Sequence, residues 1–177
     1  MLELGPVLEL GRAGSAGVGK GVLPVLRDGA VVATVRAATW REAATAVVAD
    51  REWVFAKARR EIAGRWAADP EGTARLRARQ TSWWKGTWSV DLEGRQLTAT
   101  RPSVWRSGLR YADGGQQVAT GGTTGTWSPL PTLTAAEALP LHQQVFLLWL
   151  QLVVARRDQA VWGAVIAGGA AGAAGSS

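Results

Sequence analysis

From Val145 to Val154 every position except Gln151 is apolar. Leucines dominate the run, β-branched residues sit only at its ends, and both features favour helix. A helix on a protein surface shows one apolar stripe. On a wheel this run is apolar all the way round, so it must be enclosed by protein or by lipid. Length separates the two: a membrane span takes about 20 apolar residues, and shorter runs belong to protein cores. His142, Gln143 and Gln144 close one end and Arg156, Arg157 and Asp158 the other. The pattern predicts one buried core helix over about 140–158. Pro140 suits its first turn, Arg156 and Arg157 suit its C-terminus, and the spacing Thr134-Ala-Ala-Glu137 predicts a short capped turn just before it.

Upstream the period changes to two. Val31, Ala33, Val35 and Ala37 share one face of a strand and Thr34 and Arg36 the other. Asp28-Gly29 before that strand is a hairpin signal. Between Thr73 and Gln80, Ala74, Leu76 and Ala78 alternate with Arg75, Arg77 and Arg79. Trp83 to Leu92 reads as one strand, with Trp84, Gly86, Trp88 and Val90 on a common face. Arg41 to Ala49 allows a helical turn by composition, but its place in the meander favours strand. Asp69 to Gly72, Glu93-Gly94 and Asp113-Gly114-Gly115 are turns. Val104-Trp105 and Leu109 to Tyr111 are short strands. So are Gln117 to Thr120 and Thr123 to Trp127, with Pro129 and Pro131 leading out toward the helix. Pro6 makes Leu2 to Leu10 an edge strand at most, or a loose arm.

Ten to twelve short antiparallel strands and one all-round apolar helix leave few architectures. A sandwich has no place for the helix. A closed barrel wrapped around it buries every face and removes the sheet edges. The expectation is a mainly β fold: a closed antiparallel barrel of about 10–12 strands around a buried C-terminal helix. Residues 1–21 form an N-terminal strand or arm with a glycine-rich loop, and 22–160 the barrel with its helix. Residues 161–177 form a Gly/Ala-rich tail expected to be disordered, with Val161 to Ile166 covering a barrel end.

This layout resembles a family. Recurring Trp and Gly in the meander (Trp53-Val-Phe, Trp88-Ser-Val, Glu93-Gly94, Trp105-Arg, Asp113-Gly-Gly) precede Leu139-Pro-Leu, an apolar helix and Arg156-Arg-Asp. The pattern over residues 22–160 is similar to the tubby C-terminal, phospholipid scramblase and LURP-one-related superfamily. The resemblance implies a twelve-stranded barrel around a hydrophobic C-terminal helix. In tubby domains it implies phosphoinositide binding through a basic pocket, while many members have no known activity. It transfers no catalytic residue.

Composition then narrows the chemistry. Cysteine is absent, so there is no disulfide framework and no thiol chemistry, as in a reducing compartment. The acidic start MLELGPVLELG is unlike a signal peptide. His142 is the one histidine; it stands where a structural role is expected, and with it alone a zinc site is not. No nucleophile elbow or metalloprotease signature is present, and the expectation is a protein without cofactor, metal or catalytic residue. Gly14 to Lys20 approaches a phosphate-cradling loop. However, Gly21 stands where Ser or Thr would hold Mg²⁺, and the next residues read as strand where a helix is needed.

The net charge of +6 permits an anionic partner, and the ten Trp suggest anchored core or edge positions. The expected activity is binding, to an anionic membrane surface or a protein, by a cytoplasmic protein that is peripheral at the membrane without spanning it. Arg75, Arg77 and Arg79 form the candidate anion-binding face. The alternatives are nucleic-acid binding through a basic strand face bearing Trp83 and Lys85, and nucleotide binding through Gly14 to Lys20.

Overall fold

The computed structural model describes residues 4–39, 41–102, 108–125, 128–136 and 138–172, with backbone alone from 161 onward. Twelve strands precede one helix. They are β1 (Leu4–Leu10), β2 (Leu23–Arg27), β3 (Ala30–Ala37), β4 (Ala43–Val48), β5 (Arg51–Ala58), β6 (Glu61–Trp66), β7 (Leu76–Ser82), β8 (Thr87–Leu92), β9 (Arg95–Thr100), β10 (Arg110–Asp113), β11 (Gln116–Thr124) and β12 (Leu130–Ala136), followed by α1 (Leu141–Gly172). Each strand pairs antiparallel with the next, and β1 pairs with β12 to close the barrel.

Period-two patterning sets which side chains enter the barrel. Val25, Val35, Phe55, Ile62, Leu76, Val90, Leu97, Tyr111 and Leu133 all point inward and are buried. Between them Ala44, Ala46, Ala78, Ala99 and Ala119 keep the wall thin enough for a helix to fit. Along α1, Val145 to Leu150 are at most 2 % exposed, so lipid is not needed to cover this run. Phe55 meets Phe146 at 5.4 Å and Trp149 at 5.2 Å between ring centroids. The helix and the inward side chains together form the core.

Gln151, the polar position inside the apolar run, has a structural task. Its Oε1 accepts from Leu109 N at 3.1 Å, at a place where Leu109 and Gly121 meet backbone to backbone. The amide lies so close to Gly121 that a Cβ there would come within 1.5 Å of Nε2. A hydroxyl links wall and helix nearby: Tyr111 Oη donates to Leu147 O at 3.4 Å. Burial pushes that phenol up from its ordinary pKa.

Several elements differ from the sequence expectation. Leu4–Leu10 is neither arm nor edge; it lies between β12 and β2 and completes the wall. Pro6 is tolerated because the register shifts between Leu4 and Val7, a bulge where no ladder donor is required. Leu130–Ala136 is a strand where an exit segment and a capped turn were expected, and it carries Pro131 and Thr134 within it. Glu137 lies outside the described residues. Gln116–Thr124 runs as a single strand; Trp127, Val104 and Trp105 lie outside the described residues. Trp83 to Gly86 form a turn, so Trp84 does not share a face with Trp88. The backbone helix passes its expected end and continues to Gly172, through a stretch where Gly163, Gly168 and Gly169 weaken the helical preference of the alanines. The disorder expected for 161–172 is thus replaced by helix. Residues 173–177 and the side chains of Val161 to Ile166 lie outside the description.

Gly121→Ala is expected to destabilise the barrel by at least about 2 kcal/mol, since a buried amide must move for the new methyl. Adding Gln151→Ala should recover part of the loss, which a urea-denaturation double-mutant cycle would measure.

Candidate docking surface

An up-and-down barrel sends alternate connections to opposite ends. The antiparallel order of consecutive strands, with α1 following β12, fixes the assignment. The β2–β3, β4–β5, β6–β7 and β8–β9 turns lie at the end where α1 enters. The β1–β2, β3–β4, β5–β6, β7–β8 and β9–β10 connections lie where it leaves.

The helix is held at both ends. At the entrance its start is capped by Pro140 O, which accepts from Gln143 N and Gln144 N at 3.0 Å. His142 Nε2 lies 2.8 Å from Glu93 Oε2, and Gln143 Nε2 donates to the same oxygen at 2.8 Å. The imidazole stacks on Trp53 at 4.7 Å with an 8° interplanar angle. Burial raises the Glu93 pKa, but the bonds from His142 and Gln143 outweigh it and leave the carboxyl below its ordinary value. At the exit Arg157 grips Glu42 with two nitrogens, Nη2 at 2.7 Å and Nε closer still, and lies over the Trp88 ring. Arg101 Nη2 meets Asp158 Oδ2 at 2.8 Å, and Arg156 Nη1 donates to Ala38 O at 3.3 Å. The hydrogen bond from Arg157 holds the Glu42 carboxyl below its ordinary value of 4.5 against the opposing effect of burial, with help from Lys57.

Charge divides between the two rims. The exit connections carry Arg12, Lys20, Arg41, Arg59, Arg60, Lys85 and Arg101, joined by Arg156 and Arg157 of the helix. Their acidic residues among those described are Glu42 and Asp158, both in ion pairs. The entrance turns carry Asp28, Asp50, Asp69, Glu71 and Glu93, with Arg75 tied to Asp69. The excess of positive charge in the chain is therefore gathered at the exit rim.

The β7–β8 turn stands on this rim. Trp83 and Trp84 are 70 % and 90 % exposed, well above any other described large apolar side chain. Beside them a cleft of about 230 Å³ is lined by Lys85, Trp88, Arg101, Val154, Arg157 and Asp158, among others.

The predicted arginine face does not form a single grip. Arg75 precedes β7; its Nε lies 2.6 Å from Asp69 Oδ2, and its guanidinium covers the Trp66 ring at 3.8 Å. That pair lowers the Asp69 pKa. Arg77 lies 3.4 Å from Glu61 and pairs in register with Asp91. Arg79 is exposed on the outer wall beside an open groove edged by Arg59 and Arg60. Gly14 to Lys20 lies in the β1–β2 connection and leads into a strand, so no helix N-terminus faces it. Lys85 and Trp83 lie on the turn rather than on a strand face. Among the described residues no group of three His, Asp or Glu is placed to hold a metal ion, and no helix is long and apolar enough to cross a membrane. The rim residues Arg12, Arg41, Arg59 and Arg60 do not stand out in the sequence, and Arg156 stands out only as a helix end. The available signal was strand parity, which needs every strand counted.

No family model matches the chain. Nor does any curated protein or solved structure.

A carboxyl with a lowered folded pKa stabilises fully above its unfolded value and loses that contribution as pH falls through the folded value. Glu42→Gln should therefore lower Tm at neutral pH. The gap to the parent chain should close as pH drops below 4.5, and a Tm series against pH would show this.

Proposed function

We propose that the protein is a non-enzymatic binding module that sits on an anionic membrane surface with its exit rim. The partition of charge between the two rims carries this reading. Seven of the exit-rim cations (Arg12, Lys20, Arg41, Arg59, Arg60, Lys85 and Arg156) have no carboxylate partner among the described residues. Each Lys or Arg held near an anionic leaflet contributes about 1 kcal/mol, within a Debye length of about 8 Å. The acidic opposite rim is repelled, so the barrel is oriented as well as attracted. The cytoplasmic leaflet is the anionic one, which fits a cytoplasmic, peripheral protein. The barrel lumen is occupied by the helix, and this directs binding to rims and outer wall. The likeness of layout to the tubby, scramblase and LURP-one-related superfamily favours the same reading.

Vesicle co-sedimentation tests it. The chain should bind phosphatidylcholine vesicles only when they contain phosphatidylserine, and binding should weaken as salt is raised. Reversing Arg59 and Arg60 to Glu should weaken it at least about tenfold, while Asp50→Lys on the other rim should not. Equal binding to neutral and anionic vesicles, or none to either, would refute the reading.

A further inference from the structure

We infer that the Trp83–Trp84 turn is a wedge that enters the interfacial layer of the bilayer; this rests on the membrane reading above. Two neighbouring indoles exposed to 70 % and 90 % forgo a large hydrophobic gain in water. At a membrane interface an indole buries its ring and keeps its N–H hydrated. The turn is braced in advance. Lys85 N donates to Ser82 Oγ at 3.2 Å, Gly86 N to Trp83 O at 3.3 Å, and Gly86 takes a φ of 58°. Thr81 Oγ1 donates across its base to Thr87 O at 3.2 Å. The wedge thus enters with little conformational entropy left to lose.

Position and geometry select the occupant. The turn projects from the basic rim, with Lys85 next to the indoles and Arg101 against Gly86, so an anionic surface meets cations and rings together. The two rings stand edge to face, 4.9 Å apart at 75°. Successive bases of a single strand stack on parallel faces, which this pair does not present. A lipid interface has no such requirement. Charge then brings the barrel to the surface, and the indoles hold it there when salt screens the charge.

The absence of cysteine makes the test direct. Trp84→Cys takes a single environment-sensitive fluorophore, with Asp50→Cys on the opposite rim as control. On phosphatidylserine-containing vesicles the label at 84 should shift to the blue and the label at 50 should not. In unlabelled protein, Trp83→Ala with Trp84→Ala should cost at least about tenfold in binding at raised salt. If the labelled Trp84→Cys chain itself sediments with the vesicles at low salt but its label stays aqueous, insertion is wrong and surface adsorption stands. If the parent chain does not sediment at low salt, the membrane reading falls and the wedge with it. A blue shift with oligothymidylate and none with vesicles would assign the turn to nucleic acid and overturn the inference.

Discussion

An apolar helix with no polar side can exist in water only inside a wall that closes. Most of the structure follows from that requirement. An open sheet would leave one flank of Val145 to Leu150 wet; twelve strands paired in a ring cover them all. The ring must be wide enough for a helix and thin enough to touch it, and the inward alanines at positions 44, 46, 78, 99 and 119 meet both demands. Some polar groups enter this core to serve the backbone. Gln151 serves Leu109 in that way, and Gly121 leaves the room for it.

Much of this was legible because two periods carry it. Apolarity on every face of one short run implied a surrounded helix, and period-two alternation implied the wall. Asp28-Gly29 and Glu93-Gly94 announced their turns, and both pairs adopt positive φ. What was misread lay where a local signal met a tertiary demand. Pro6 and Pro131 usually mark edges, but Pro6 lies at a bulge and Pro131 one residue beyond the last partner that β1 gives β12. Trp83 and Trp84 look like strand residues by propensity, yet the strand begins only at Thr87 and leaves them in the turn.

The surface was harder to read than the core. Arg75, Arg77 and Arg79 stood out because they alternate, yet Asp69 and Glu61 engage two of them. The cations that gather at the exit rim come from connections far apart in sequence and show no local motif. Their convergence depends on strand parity, which only the complete strand order gives. One net charge of +6 can describe an evenly basic surface or two opposed ends; only the topology tells them apart.

The seam between β1 and β12 has a consequence for how the molecule assembles. Leu8 lies opposite Leu133, so the ring cannot shut until strands from distant parts of the chain are joined. The helix follows β12 almost at once and packs against it. Folding is then a late, non-local event with a long loop to close, and such topologies fold slowly. Until the seam forms, both strands at the gap offer unpaired backbone to any neighbouring chain, and the apolar helix has no shelter. The period of greatest aggregation hazard is therefore the interval before closure.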